Sequence, residues 1–138
     1  MKILLDTNII LDVLLKREEF FLKSREIFIL VEEKKAEGFL SASSFTTIHY
    51  LISKHLSKQE ADEAIGILLK LFEVTSLDKN IIKSAVKNNG VDFEDSVIYS
   101  SAYHNGIDYI ITRDKRGFKN SKVECQNPDN FLAFWNSL

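Results

Sequence analysis

The sequence predicts an α/β fold, a three-layer α/β/α sandwich around a mainly parallel sheet of five strands. Short apolar runs, which are typical of buried strands, alternate with helical segments of about ten residues, as in a parallel sheet covered on both faces. Hydrophobic residues make up 45% of the 138 residues, and the chain contains no linker or internal repeat. We therefore expect a single domain over residues 1–138 with a substantial core.

The first half of the chain is predicted to contain two strands and four helices. The strands are short apolar runs, and the helices are segments in which apolar residues recur at helical spacing after a polar start. The predicted elements are, in order, a strand at 3–5, a helix from 9 to 15, a second helix from Phe20 that ends at Gly38, a strand at 39–40, a third helix that starts within 41–44, and a fourth helix that starts at Ser57.

The second half is predicted to contain three strands and three helices. Acidic and amide residues at helix starts are good N-caps, and a proline suits the first helical turn. The predicted elements are, in order, a strand at Val74, a helix after Asp78, a helix after Asp92, strands at 109–111 and 123–125, and a last helix after Asn127.

Charge and cysteine content limit the classes of function. The net charge is −2 and the pI is near 5.9, so a contact with nucleic acid must rest on a local basic patch. The only such patch follows the fourth strand, in residues 113–119. A single cysteine, Cys125, excludes an internal disulfide, and alternation with Val123 predicts that it is buried. Because no apolar run approaches the length of a membrane span or a signal-peptide core, we expect a cytoplasmic protein without a membrane partner.

Three carboxylates are predicted to meet at one edge of the sheet. Asp6 ends the first strand, Asp114 follows the fourth, and Asp95 lies in the first turn of the helix that leads into the fourth strand. Because such a helix runs antiparallel to its strand, its start overlies the carboxyl edge of the sheet. Asp95 shares a helix face with Ile98, which must face the sheet, whereas Glu94 is expected to point elsewhere.

Purely structural roles are the alternative for these acids. Asp6 would then cap the first helix, and Asp95 would complete a capping box with Asp92. Asp92 suits the cap, but the return bond favours a side chain longer than that of Asp95.

A cluster of carboxylates requires a divalent cation, because like charges in a partly enclosed site repel each other. Its ligands would be oxygen atoms, and the three histidines are not placed to join them, which favours Mg²⁺ or Mn²⁺ over Zn²⁺. Such a cation suits hydrolysis of a phosphodiester bond. We therefore predict a nuclease in which Asp6, Asp95 and Asp114 are both metal ligands and catalytic residues.

Three segments of the chain resemble the motifs of PIN-domain nucleases. They are residues 5–12 (LDTNIILD), 92–97 (DFEDSV) and 109–118 (YIITRDKRGF). Their order along nearly the whole chain is similar to that of VapC-type toxins from toxin–antitoxin pairs. The resemblance implies a PIN-like fold and a metal-dependent ribonuclease that forms a homodimer and is inhibited by a cognate antitoxin protein.

The resemblance also assigns roles to the polar residues around the acids. It makes Asp6 the first and Asp95 the third acid of the family, with Asp114 as the fourth, and gives Asn8 and Thr112 supporting roles. The basic residues that flank the site are predicted to contact the RNA backbone: Arg113, Lys115, Arg116 and Lys119.

The chain departs from the family pattern at two positions. Thr47 stands where the family usually has a Glu on the third helix, and Gly117 stands where some relatives have an Asp. We expect Thr47 to line the site and to offer a hydroxyl in place of a carboxylate, which weakens the hold on a cation. Glu94 and Asp92 are the residues available to compensate.

Two other interpretations compete with an active ribonuclease. The missing acids favour a PIN-like protein that binds RNA or an antitoxin without cutting. A haloacid-dehalogenase-like phosphatase also begins at a strand-ending Asp, but it needs a second Asp two residues later, where this chain has Asn8. The homodimer expected from the resemblance agrees with the large apolar surface predicted for the third and fourth helices, residues 45–72.

Overall fold

A parallel sheet of five strands forms the centre of the structure, a computed structural model that describes residues 1–138. The strands are β1 (Lys2–Leu5), β2 (Glu37–Ser41), β3 (Glu73–Thr75), β4 (Tyr109–Ile111) and β5 (Glu124–Gln126). Their order across the sheet is β3-β2-β1-β4-β5, and all neighbouring strands are parallel. β1 is therefore the middle strand of the sheet.

Seven helices connect and cover the strands. They are α1 (Thr7–Leu14), α2 (Phe21–Glu32), α3 (Ala42–His55), α4 (Lys58–Leu71), α5 (Lys79–Lys87), α6 (Phe93–His104) and α7 (Pro128–Asn136). No helix among them combines the length and the apolar character needed to cross a membrane.

The alternation of side chains along β1 divides the core into two layers. Ile3 and Leu5 belong to the larger cluster, which α1, α2, α3, α4 and α7 complete. Leu4 points to the opposite face and packs in a smaller cluster with Ile98 and Tyr99 of α6. Successive side chains of a strand point to opposite faces, and all three residues are fully buried, so the three-layer sandwich is confirmed.

Four predicted helix starts are confirmed by capping bonds. The side chains of Ser57, Asp78, Asp92 and Asn127 each accept a hydrogen bond from the backbone N–H three residues later. These bonds satisfy amide groups that would otherwise lack a partner in the first helical turn. The cap at Asp92 sets the position of α6, which carries Asp95.

The prediction that α2 ends at Gly38 is wrong. α2 ends at Glu32, Lys34 then adopts a positive φ of 59°, and Gly38 lies within β2. A Cβ atom at Gly38 would lie 2.5 Å from Val31 Cγ1 and 2.8 Å from the Phe72 ring, so this glycine allows close packing between the strand and its covering helices. Sequence reasoning mistook a packing glycine for a helix terminator.

Smaller differences affect two other elements. The last strand is shifted by one residue from the predicted 123–125 to 124–126, and Cys125 is only half-buried, packed against the smaller core cluster. α1 starts at Thr7 instead of the predicted residue 9, and Asp6 occupies its N-cap position. The side chain of Asp6 makes no capping bond to this helix.

Candidate active site

A cavity of about 240 Å³ opens at the carboxyl edge of the sheet. Its wall contains Asp6, which directly follows β1, and residues from α1, α3, the start of α6 and the loop after β4. The predicted site residues on this wall are Asp6, Asn8, Thr47, Asp92, Asp95 and Asp114. Glu94 and the apolar side chains of Leu11 and Leu51 also line the cavity. The parallel sheet places these residues together because both β1 and β4 end at this edge.

Asp6 lies at the bottom of the cavity and is only 4% exposed. Its Oδ2 accepts a hydrogen bond of 2.9 Å from the hydroxyl of Thr112, which in turn accepts one of 3.0 Å from the backbone N–H of Asp114. Burial raises the pKa of Asp6 from 3.8 to about 6; the Thr112 bond opposes this shift, and the charges of Glu94 and Asp114 add to it. Thr112 therefore connects two of the predicted acids.

The carboxylates of Asp95 and Asp114 both lie beside Gly117. A Cβ atom at Gly117 would overlap Asp95 Oδ2 and lie 2.7 Å from Asp114 Oδ2. The backbone N–H of Gly117 donates a hydrogen bond of 3.0 Å to Asp114 Oδ1. At this position in the fold, the absence of a side chain leaves room for two carboxylates, a role that the sequence did not indicate.

Asp95 is the most strongly perturbed of these acids. Burial and, in decreasing order of importance, the charges of Asp6, Asp92, Asp114 and Glu94 together raise its pKa from 3.8 to about 7. Its backbone N–H is fixed by the Asp92 cap at 3.1 Å. The pKa of the Asp95 carboxyl is therefore raised first by its partial burial and then by the unbalanced negative charge in the cavity.

The prediction that Glu94 points away from the site is wrong. Glu94 lies on the cavity wall, and its Oε1 accepts a hydrogen bond of 3.0 Å from the hydroxyl of Thr47 on α3. Sequence reasoning assigned neighbouring residues to different helix faces, a rule that neglects the reach of a long side chain in the first turn. The sequence feature that pointed to Glu94 as a site residue was the group of acids at the start of α6.

The donor set of the cavity suits a hard divalent cation. Every polar side chain on its wall offers an oxygen atom, including the amide of Asn8, and no lysine, arginine or histidine balances the carboxylates there. No three acidic, histidine or cysteine side chains are grouped closely enough to hold a metal ion as they stand. Binding would therefore require the carboxylates to move closer together, which their mutual repulsion opposes without a cation.

Arg113 differs from the other predicted RNA-contacting residues. Its Nε and Nη2 donate hydrogen bonds of 2.9 Å to the two oxygens of Asp12, which is fully buried in α1. Its guanidinium group also lies 3.6 Å from the centre of the Phe20 ring. Lys115, Arg116 and Lys119, in contrast, are exposed in the loop after β4 and form no ion pair.

Asp12 lies within the motif at residues 5–12, and no separate role was predicted for it. It also accepts a hydrogen bond of 3.0 Å from Ser24 and lies 3.4 Å from Arg17 Nη1. An acid within the apolar stretch of α1 was the available signal, because a buried charge needs a partner. The ion pair with Arg113 ties α1 to the loop that carries Asp114.

The PIN domain family profile matches residues 2–116 of this sequence. The chain belongs to the PIN domain family.

Ribonuclease VapC1 of Aquifex aeolicus is 25% identical to this PIN domain over 142 residues, an alignment that covers 99% of this chain and 97% of that protein. A toxin–antitoxin complex from Klebsiella pneumoniae matches with a TM-score of 0.68 and 18% identity over 91% of this chain and 96% of that chain. VapC20 of Mycobacterium tuberculosis, described as a toxin that cleaves the sarcin-ricin loop, matches with a TM-score of 0.71 and 15% identity over 88% and 97% of the two chains. The structural likenesses establish the shared fold.

Proposed function

We propose that this PIN domain is an endoribonuclease that hydrolyses RNA phosphodiester bonds with Mg²⁺ or Mn²⁺ as cofactor. The observation that carries the proposal is the gathering of Asp6, Asp95 and Asp114 around one cavity without a basic side chain on its wall. Such a site lacks positive charge, which a divalent cation provides. The ribonuclease name of VapC1 and the description of VapC20 support RNA as the substrate.

Asp6, Asp95 and Asp114 would hold the cation. Such a cation lowers the pKa of a water molecule and offsets negative charge on the phosphoryl oxygens. The contribution of the protein is to fix these acids in place: Thr112 orients Asp6, and the loop closed by Gly117 orients Asp114. Asn8, exposed on the cavity wall and bonded to Arg17 at 3.0 Å, supports the rim.

Cleavage of a structured RNA by the full chain tests this proposal. We expect cleavage with Mg²⁺ or Mn²⁺ and none with EDTA, and a loss of at least about a hundredfold in Asp6→Asn and Asp95→Asn. Glu32→Gln, a matched change at an exposed residue of α2, should cleave like the wild type. Equal cleavage by the wild type and Asp6→Asn would refute the proposal.

The exposed basic residues Lys115, Arg116 and Lys119 are proposed to contact the RNA backbone beside the cavity. Phosphate contacts make binding depend on salt, so replacing all three with alanine should flatten the salt dependence of RNA affinity. An unchanged slope would mean that these side chains are only solvated. Arg113, predicted as a fourth contact with RNA, donates two hydrogen bonds to Asp12. We therefore propose that its main role is to hold the loop after β4 against α1.

A PIN-like protein that binds RNA or an antitoxin without cutting is the second candidate function. Thr47, at the position where the family resemblance expects an acid, favours it. Measurements of RNA binding and RNA cleavage separate the two functions. The non-cutting protein should bind RNA with an affinity that Asp95→Asn leaves unchanged or improves. It should release no RNA fragments with Mn²⁺.

We further propose that the protein is the toxin of a toxin–antitoxin pair. The support is the fold shared with the Klebsiella pneumoniae complex. Expression in a bacterial host should arrest growth, and Asp95→Asn should abolish the arrest. Coexpression of the proposed cognate antitoxin should relieve it, and the absence of any relief would contradict the pairing.

A homodimer is the proposed assembly. Four large apolar residues remain exposed on α3, α4 and the turn between them: Tyr50 at 62%, Leu56 at 53%, Ile67 at 50% and Leu69 at 56%. An apolar surface of this kind is typical of an interaction site. Light scattering at high micromolar concentration should give the dimer mass for the wild type, and Tyr50→Glu should lower it; a monomeric wild type would contradict the proposal.

A further inference from the structure

A hydrogen bond joins α3 and α6 on the wall of the cavity. The hydroxyl of Thr47 donates to Glu94 Oε1 at 3.0 Å, and both residues line the cavity with Asp6 and Asp95. Glu94 is exposed, and an exposed glutamate is free to extend into water. The bond to Thr47 holds this long side chain at the cavity. Fixing the side chain in one position costs free energy, because it reduces conformational entropy.

The charge of Glu94 acts on the acids at the bottom of the site. Glu94 lines the same cavity as Asp6 and Asp95, and its charge is among those that raise the pKa of both. Glu94 forms no ion pair with a lysine, arginine or histidine. Its negative charge therefore faces other negative charges and lacks a counterion from the chain itself.

Two neighbouring residues are less suited to supply an additional ligand. Asp92 already uses Oδ1 to cap α6 at the backbone N–H of Asp95, so moving it toward a cation would open the first turn of the helix. Thr47 is neutral, and its hydroxyl proton is directed at Glu94. Glu94 can contribute a full negative charge without disturbing a helix cap.

We propose that Glu94 is a ligand of the cation site and that Thr47 is the residue that positions it. The acid missing from α3 is thus replaced by one that reaches across from α6. This inference rests on the cation-dependent function proposed above and extends it to a specific residue of this chain.

Mn²⁺ binding to the full chain, measured by calorimetry without RNA, tests the role of Glu94. Glu94→Gln should raise the Kd for Mn²⁺ at least about tenfold, because the variant retains the shape of the side chain but loses its charge. Glu32→Gln removes the same charge from an exposed residue of α2 and should bind like the wild type. If Glu94→Gln also binds like the wild type, Glu94 is only a surface acid at a helix start and the inference is overturned.

Variants of Thr47 test its positioning role. Thr47→Val removes the hydroxyl at nearly constant volume and should weaken Mn²⁺ binding several-fold, whereas Thr47→Ser keeps the donor and should retain wild-type affinity. The double variant Thr47→Glu/Glu94→Thr moves the acid to α3 and should recover most of the affinity lost in Glu94→Gln. Equal Kd values for the Thr47→Val and Thr47→Ser variants would overturn the positioning role, with thermal melts reporting that each variant is folded.

The same titration separates this inference from the proposed ribonuclease activity. A wild type that binds Mn²⁺ through Glu94 but leaves RNA intact would overturn the activity and support the ligand. A wild type that binds Mn²⁺ and cleaves RNA, with Glu94→Gln unchanged in Kd, would overturn the ligand alone. A wild type that binds no Mn²⁺ would overturn both.

Discussion

Asp12 and Arg113 illustrate how one residue pair positions the site. Asp12 has no exposed surface, and Arg113 meets both of its oxygens from a position 101 residues later in the chain. Asp114 follows Arg113 directly, so the same pair that neutralises the buried charge also fixes the start of the loop that carries an acid of the site.

Removal of Arg113 should therefore destabilise the fold. We expect Arg113→Ala to lower the free energy of unfolding by about 3 kcal/mol, because Asp12 would stay buried with only Ser24 and the longer contact to Arg17. Lys115→Ala, at an exposed position of the same loop, should change it by less than about 0.5 kcal/mol. Urea denaturation of the two variants provides the comparison, and equal losses would argue against the role given to this pair.

Two glycines within regular elements lead to opposite predictions. Gly38 of β2 has Val31 and Phe72 within 2.8 Å of the position of a Cβ atom, whereas Gly66 of α4 has nothing within 4 Å. Gly38→Ala should lower the free energy of unfolding by about 1–3 kcal/mol through overpacking. Gly66→Ala should raise it by about 0.5–1 kcal/mol, because alanine favours the helix. Thermal melts of both variants test the pair, and a shift of the same sign in both would contradict it.

The helices and strands could be predicted where their causes are local. The caps at Ser57 and Asp78 depend on residues three positions apart, and such signals are readable from the sequence. Gly38 was misassigned because its cause is contact with distant side chains.

The candidate site follows the same division between local and distant causes. The acids at strand ends could be located from the order of the elements, and the structure brings Asp6, Asp95 and Asp114 to one cavity. The hydrogen bonds of Glu94 to Thr47 and of Arg113 to Asp12 span 47 and 101 residues, and no local sequence pattern predicts them. These contacts depend on how α3, α6 and the loop after β4 pack together.

The acids of the cavity should give the whole molecule an unusual dependence of stability on pH. Folding raises the pKa of Asp6 from 3.8 to about 6 and that of Asp95 from 3.8 to about 7. At a pH between the unfolded and the folded pKa of each acid, the unfolded chain has lost a proton that the folded chain retains. The free energy of unfolding should therefore fall as pH rises from about 4 to about 7.

Thermal melts in EDTA between pH 4.5 and 8 measure this dependence. Asp95→Asn removes the group with the higher pKa, so its melting temperature should fall less steeply than that of the wild type, above all near pH 7. Saturating Mn²⁺ should raise the melting temperature most at high pH, where the carboxylates are ionised. A wild type and an Asp95→Asn variant with parallel profiles would contradict the assignment of this charge to the cavity.

The order of strands in the sheet also determines when the cavity forms during translation. β1, β2 and β3 are synthesised first and can pair with one another, while the other edge of β1 waits for β4. The bond from Thr112 to Asp6 joins residues 106 positions apart, and Asp114 is made later still. The ribosome must therefore add Asp114, 108 residues after Asp6, before the proposed nuclease has its full set of acids. A nascent chain that ends before Asp114 therefore lacks a complete site for the proposed cleavage of RNA.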